Sequence, residues 1–436
     1  YSSGVCAGCH TLITETLQPD GTPSGDFFVE QATYHEWLNS VYSIQGKECQ
    51  TRHMPFIPDG VVIATDFAAL EERAPFGLHQ FFGANTAMLD LMRANKAALG
   101  LPTGESSHAW EESITNNRKS LSNAAELSVP SMYIANDTMY VSVTIKNKAG
   151  HKLPSGYPSR LAWLQVTLKD AASNETIYIN GALDQDGHIA GRDIPFEPHH
   201  QVSRSEDDVQ IYEMVMSDLE GHLTTRLNAA FQPLKDNRLL PTGFRHDHTA
   251  YDTVAIWGNA NQDPDFTNES NKGIDKIEYR IPLDGREGLA DLSIALHYQT
   301  LPARWMSDLF ANDDVEQVAQ FKSMYQGYQQ HHEVINQVDI DSIDLSTTAV
   351  APILSLTSFA ISPNPISDRV LQIQLSDQFV LKTGLQYQII DMNGTRVQNG
   401  EFREHILLNG EISKGVYYLA LFEHGRLLSI KPFLAL

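Results

Sequence analysis

The chain begins with two cysteines and a histidine at a spacing that suits covalent attachment of a cofactor. Two residues separate Cys6 from Cys9, and His10 follows directly. Thiols about one helical turn apart can add to the two vinyl groups of a porphyrin, and the next imidazole then faces the iron. The segment therefore predicts haem c attached at Cys6 and Cys9, with His10 as an axial ligand of the metal.

Two other uses of a Cys-x-x-Cys segment fit this sequence less well. A zinc site would need a second pair of ligands, and Cys49 is the only other cysteine in the chain. A thioredoxin-like site would need a strand before the motif, whereas the short polar stretch 1–4 precedes Cys6. A structural disulfide between Cys6 and Cys9 remains the alternative to haem.

Composition indicates an exported, acidic protein. The 436 residues include 54 acidic and 31 basic side chains, for a net charge of -23. This charge argues against binding to nucleic acid or to anionic membrane surfaces. No apolar stretch approaches the ~20 residues that span a bilayer. Because haem of this kind is attached outside the cytoplasm, we expect export through the periplasm to the cell surface or the extracellular medium.

Apolar periodicity predicts helices first and strands afterwards. Up to residue 125 the large apolar residues recur at helical spacing, over about 27–44, 85–99 and a third helix that begins at Ser106 or Ser107. From residue 126 the apolar residues alternate, as they do in strands, until a predicted closing helix over 303–331.

These patterns predict an α+β multidomain chain. We expect an N-terminal helical c-type haem domain over 1–125, followed by two antiparallel β-sandwich domains. The first sandwich covers 126–338 with insertions and the closing helix, a linker covers 339–352, and the second sandwich covers 353–436.

Several segments resemble the multihaem c-type cytochromes of the cytochrome c554-like group. They are residues 30–40, 48–55, 79–85 and 150–160, the last reading Gly-His-Lys-Leu-Pro-Ser-Gly-Tyr-Pro-Ser-Arg. The resemblance covers roughly 1–300 and implies electron transfer through haem iron, with other cytochromes or copies of the same chain as partners.

One segment departs from the pattern of that group. Around residue 49 such proteins normally carry a second Cys-x-x-Cys-His-Met-Pro, whereas here Arg52 stands in place of the second cysteine. Cys49 and His53 could hold a haem by one thioether and one axial bond, the haem could bind without a covalent link, or it could be lost. We favour loss, since Arg52 brings a large cation to the place where a vinyl group should bond.

The other ligands are assigned from residue type and context. His79 and His151 lie in segments that resemble the cytochromes and precede glycine-containing turns, so each is a candidate sixth ligand, and His53 is a weaker one. Arg160 is a candidate partner for a haem propionate, because guanidinium matches a carboxylate. Segments 184–187 and 261–265 carry carboxylates as calcium loops do, although neither has the full loop frame, and ordinary polar turns fit them better.

The C-terminal part carries a second resemblance. Residues 359–365, 390–394, 414–419 and 431–433 are similar to the type A C-terminal sorting domain of the type IX secretion system. The resemblance covers about 353–436 and implies transport across the outer membrane to the cell surface.

The sequence thus predicts an electron carrier rather than an enzyme. No phosphate loop, nucleophile elbow or zinc-protease motif is present in the sequence. The competing hypothesis is a structural surface protein that descends from a multihaem cytochrome and keeps haem mainly for stability. Such a protein would form a homo-oligomer or a filament. A redox enzyme with an open iron position is a third, weaker option.

Overall fold

The computed structural model describes most of the chain. The described residues are 2–66, 70–102, 104, 107–184, 187–190, 196–268, 272–328, 332–346, 350–351, 359–366, 369–375, 385–391, 396–410, 412–423 and 426–435. The chain divides into two compact units: the first comprises Tyr1–Leu127 and Asn136–Thr347, and the second comprises Ser128–Ala135 and Thr348–Leu436. Within the described residues, no helix is long and apolar enough to cross a membrane.

The helices are short, and all of them lie in the first unit as far as the described residues show. Their bounds are α1 Gly4–Ala7, α2 Thr33–Leu38, α3 Val41–Ile44, α4 Cys49–His53, α5 Thr86–Ala94, α6 Ser107–Ser122, α7 Pro264–Thr267, α8 Ala303–Phe310 and α9 Glu316–Gln326.

Strands form most of the regular structure. Those in the first part of the chain are β1 Leu12–Leu17, β2 Pro23–Gln31, β3 Phe56–Ile57, β4 Phe76–Gly77, β5 Ala125–Ala135, β6 Thr138–Asn147, β7 Leu161–Asp170, β8 Thr176–Asn180, β9 Val202–Ser203, β10 Ile211–Tyr212, β11 Met214–Ser217 and β12 Leu223–Thr224. The others are β13 Gln232–Asp236, β14 Ile274–Pro282, β15 Leu289–Gln299, β16 Glu333–Asp344, β17 Val350–Ala351, β18 Phe359–Ser362, β19 Val370–Leu375, β20 Leu385–Asp391, β21 Arg396–Glu401, β22 His405–Leu407, β23 Gly415–Glu423 and β24 Arg426–Ala435.

The core of the first unit lies on two sets of paired strands. One sheet has the order β10-β7-β15-β16, with β8 paired to β7. In the other, β14 pairs antiparallel with β6 and parallel with β9. Alternate residues face inward, so Val141, Val143, Val166 and Ile294 are 0% exposed. Smaller sheets, β1-β2, β3-β4 and β12-β11-β13, complete the sheet structure of this unit.

The second unit has an apolar core of its own. Its described strands form a sheet of order β18-β19-β22 and another of order β21-β20-β23-β24, and β17 pairs with β5. The inward residues of these strands form one cluster, which includes Leu371, Ile389, Leu419 and Phe433.

The predicted helical haem domain is wrong. Residues 12–31 form an antiparallel hairpin, β1 with β2, whose ends are joined by a turn in which Gly21 has a φ of 84°. The predicted helix over 27–44 therefore begins as a strand and continues as two short helices. Phe28 and Glu30 are buried while Phe27 is exposed, which is strand alternation. Apolar residues in this short stretch fit both periods, and pairing with β1 decides between them.

The prediction of two successive sandwiches is wrong as well. The protein is mostly β, with many small sheets in place of two large packed pairs. The predicted closing helix over 303–331 is divided into α8 and α9 by residues 311–315. Strand β16 extends to Asp344, so the first residues of the predicted linker 339–352 are part of a sheet.

Candidate functional site

Helix α1 and the turn that follows it hold Cys6, Cys9 and His10 close together. The N–H groups of Cys9 and His10 both donate to the Cys6 carbonyl, at 3.2 and 2.9 Å. Helix α1 ends at Ala7, so Cys9 and His10 lie in the turn that follows it. A Cβ placed on Gly8, between the two cysteines, would meet nothing within 4 Å. This arrangement fits a flat ligand attached at both thiols.

Helix α4 lies directly against α1. The N–H of Ser3 donates to Glu48 Oε2 at 2.6 Å, and the N–H of Cys49 donates to Ser3 Oγ at 2.9 Å. The Gln50 side chain donates to the Ser2 carbonyl at 2.8 Å. These bonds bring Cys49 beside Cys6. Burial raises the pKa of the Cys49 thiol, and the interaction with Cys6 raises it further while Ser3 lowers it.

His53 and His151 face each other across the site. Their ring centroids are 6.1 Å apart, and the ring planes differ by 18°. His53 Nδ1 bonds to the Phe82 carbonyl, and His151 Nδ1 bonds to the Lys152 carbonyl at 2.7 Å. A carbonyl only accepts, so each Nδ1 carries the proton, and in the neutral ring the lone pair is on Nε2.

His10 and Arg160 belong to the same group of side chains. Although His10 is exposed, partial desolvation lowers the pKa of its imidazole, and the charges of His53 and Arg160 lower it further. Arg160 donates to the Ser155 carbonyl at 2.6 Å, while its buried Nε has no hydrogen-bond partner in the described structure. An unpaired guanidinium donor near the predicted iron ligand fits an anionic group such as a propionate. The donor set of thiols, imidazoles and guanidinium therefore suits haem.

A buried ionic network holds Lys152, the residue that follows His151. The next residue, Lys152, is 0% exposed, and its Nζ donates to Asp236 Oδ2 at 2.7 Å. Arg238 pairs with Asp236 at 2.7 Å and with Glu36 at 2.9 Å, and Glu36 accepts from the Lys152 N–H at 3.2 Å. Burial alone would raise the pKa of Asp236, but Arg238 and Lys152 outweigh that effect and lower it to about 2. The sequence analysis did not identify Glu36 or Asp236. The only signal for Glu36 was its carboxylate among the apolar residues of α2, and Asp236 had none.

The structure separates other predicted residues from this group. The His79 ring contacts Phe81, with centroids 6.1 Å apart, and within the described residues no contact joins it to His10, His53 or His151. Its role as a sixth ligand stays a prediction. Lys152 is committed to Asp236, and Tyr157 packs against Trp305. Arg160, the predicted partner of a propionate, has a buried Nε with no hydrogen-bond partner among the described contacts.

The carboxylates of the possible calcium segments have local structural roles. Asp184 accepts from the His188 N–H at 2.8 Å in a turn, and residues 185–186 lie outside the described residues. Asp263 caps α7, and Asp265 binds Lys276 at 3.1 Å. Asp263 also belongs to a buried group with His199 and Asp275. Within the described part of the chain, the side-chain nitrogen and oxygen atoms of these three residues lie within 4.8 Å of one another, close enough to hold a metal ion.

Comparisons with known proteins give two distant structural similarities and no family. No protein-family model matches it, and no curated protein matches it. Among solved structures it is similar to a penta-heme cytochrome c552 from Thermochromatium tepidum, with 18% identity, a TM-score of 0.40, and coverage of 78% of this chain and 56% of that one. It is also similar to the BSP domain of a biofilm associated protein, with 10% identity, a TM-score of 0.16, and coverage of 75% and 55%. The chain thus spans just over half the length of each.

Proposed function

We propose that the protein is a c-type cytochrome that carries electrons outside the cytoplasm. Cys6 and Cys9 would hold the haem by thioether bonds, and His10 would bind its iron. The haem supplies reversible one-electron exchange. The observation that carries this proposal is the turn Cys6–His10, in which the N–H groups of Cys9 and His10 bond to one carbonyl and Gly8 has no neighbour within 4 Å of an added Cβ.

The charges around the site support the same function. The lowered pKa of His10 keeps its imidazole neutral at neutral pH, as a metal ligand requires. Arg160 supplies a half-buried cation near it, which would offset the charge of a propionate. Export, and the C-terminal resemblance to a sorting domain, stay predictions from the sequence; they agree with a net charge of -23 and with haem attachment outside the cytoplasm.

The test is production of the full chain in a bacterial host that attaches haem c. Mass mapping should find haem on the peptide that contains Cys6 and Cys9, and the protein should oxidise and reduce reversibly in a potentiometric titration. The double variant Cys6→Ser/Cys9→Ser should lose that haem. A Cys6–Cys9 disulfide in the wild type, with no haem on this peptide, would contradict the proposal. Haem that is attached but does not cycle would favour the structural hypothesis.

A further inference from the structure

We propose that His297 and His332 together bind one transition-metal ion of the class that prefers imidazole ligands, with zinc as the probe. His297 lies in β15, and His332 directly precedes β16. The site is independent of the proposed function, because no residue of the Cys6–His10 turn takes part in it.

The pairing of β15 with its two neighbouring strands brings the imidazoles together. His297 lies opposite Trp163 of β7 and opposite Val334 of β16. The register of β15 with β16 shifts between Leu296 and His297. Such irregularities often re-aim a side chain beside a functional site. The rings of His297 and His332 have centroids 5.0 Å apart and planes at 65°.

Neither imidazole makes a hydrogen bond to any residue that the structure describes. His297 is 6% exposed, and its Nδ1 is buried without a partner. The His332 ring is half-buried and also lacks a partner among the described residues. A buried polar atom without a partner is unfavourable, and a bound ion is one of the usual reasons for finding one.

Both imidazoles favour the neutral form, which is the form that binds metals. Burial, with a smaller effect from His332, lowers the pKa of His297 to about 4. Burial also lowers the pKa of His332, although the charge of Glu333 opposes this shift. At neutral pH each ring therefore has a nitrogen lone pair available.

The separation of the rings fits two imidazoles bound to the same ion. An imidazole nitrogen binds zinc at about 2.1 Å, which puts the ring centre roughly 3.2 Å from the metal. Two such rings have centres roughly 5.2 Å apart at the tetrahedral angle and roughly 4.5 Å apart at a right angle. The observed separation of 5.0 Å lies between these values.

Ring packing alone accounts for less of the arrangement. Edge-to-face pairs of aromatic rings also occur at this separation. Trp163 stacks on His297, with centroids 4.8 Å apart and planes at 21°, so one face of this imidazole is already covered. Neither ring contact gives the imidazole lone pairs a partner, whereas an ion shared with His332 would use one from each ring.

An open cleft leads to His332. It has a volume of about 830 Å³, and His332, Glu333 and Val334 form one side of it. Helix α6 forms the other side, through Thr115, Arg118, Lys119 and Ser122. Because the chain supplies two ligands, water from this cleft would complete the coordination of the ion.

The buried group of His199, Asp263 and Asp275 is a less suitable metal site, although its atoms are close together. The amides of Gln210 and Asn237 donate to His199 Nδ1 at 2.9 and 3.0 Å. The oxygen of each amide already accepts a backbone N–H, which fixes the orientation of the amide. The proton of His199 is therefore on Nε2, which donates to Asp263 at 2.9 Å. This imidazole has no lone pair left for a metal.

Titration of the full chain with zinc chloride, after treatment with a chelator, tests the inference. Calorimetry should show one tightly bound ion per chain, and zinc K-edge X-ray absorption should show scattering from two imidazoles. No binding, or a zinc shell with fewer than two imidazoles, would overturn the inference. Neither measurement depends on haem, so that result would leave the proposed function standing.

Matched variants assign the ion to this pair. His332→Ala should weaken zinc binding at least about tenfold, because even the loss of an outer partner of a metal ligand costs that much. The control His222→Ala removes an exposed imidazole beside Asp218 and Glu220 and should leave the affinity unchanged. Asp275→Asn should also leave it unchanged. Unaltered zinc affinity in folded His332→Ala, or an equal loss in either control, would overturn the inference.

Discussion

Asp236 lies at the centre of four buried charges, and its single carboxylate binds both Lys152 and Arg238. Breaking a buried ion pair by removing one partner is costly, since it leaves an uncompensated charge. We expect Asp236→Asn to lower the free energy of unfolding by about 3–5 kcal/mol in urea titrations. The control is Asp247→Asn, which removes an exposed pair with Arg245 and should change stability little. Equal effects of the two variants would contradict this role.

Asp275 gives the protein a stability that falls as pH rises. Burial raises its pKa from 3.8 to about 6, although the charge of His199 and the Tyr212 hydroxyl oppose the shift. The folded state thus prefers the protonated carboxyl, so this contribution is complete below pH 3.8 and is lost as the pH rises to about 6. A shift of this size corresponds to about 3 kcal/mol.

Asp275→Asn should remove this pH dependence, because the amide is neutral throughout the range. The measurement is the difference in unfolding free energy between wild type and variant at a series of pH values, which cancels the contributions of groups that do not interact with Asp275. His199, Asp263 and Asp265 are the charged groups that do interact with it. Parallel curves for the two proteins between pH 4 and 7 would show that Asp275 is ionised in the folded state.

At the scale of elements, one turn sets the connection between β14 and β15. Asp284 and Gly285 both have positive φ, at 52° and 71°, and the Arg286 N–H donates to the Leu283 carbonyl at 3.0 Å. A Cβ at Gly285 would meet nothing within 4 Å, so any cost of substitution is due to the backbone. We expect Gly285→Ala to cost roughly 1 kcal/mol in urea unfolding and Gly285→Asn less, since Asn tolerates this conformation better. Equal losses would contradict a backbone origin.

The sequence predicted elements best where one period ran for several turns. Helix α6, expected from Ser106 or Ser107 with Trp110 and Ile114 on one face, is confirmed as Ser107–Ser122. The alternation around Val141 and Val143 is confirmed as β6. Short stretches such as 27–44 were mispredicted, because a few apolar residues fit either period until a partner strand is known.

The candidate site was predictable as residue types but not as an arrangement. Local spacing alone placed Cys6, Cys9 and His10 together. His53, His151 and Arg160 were identified from their segments, yet their proximity depends on the tertiary fold. The network beneath them joins Lys152 to Asp236 over 84 positions and to Glu36 over 116. No periodicity in the sequence carries such distant pairs.

At the scale of the whole molecule, the two units contain different probes. All five tryptophans lie in the first unit, at positions 37, 110, 163, 257 and 305. Leu419 is 0% exposed in the core of the second unit, so Leu419→Ala should destabilise that unit by about 2–5 kcal/mol. Calorimetry should show that the unfolding temperature of the second unit is lowered. Tryptophan fluorescence, which reports on the first unit, should show the wild-type unfolding temperature.

The control for this experiment is Leu407→Ala, at a side chain that is 69% exposed. It should leave both signals unchanged. A shift of the fluorescence transition in Leu419→Ala would show that the two units unfold together. It would contradict the expectation that each unit has a stability of its own.

The buried charges next to His151 bear on how firmly this part of the candidate site is held. The His151 carbonyl accepts from Asn147 at 2.9 Å, and Lys152, the next residue, is tied through its N–H and its Nζ to Glu36 and Asp236. The segment that carries His151 is therefore held at its backbone from two directions. The ionic network, besides stabilising the fold, thereby limits how far the His151 imidazole can move.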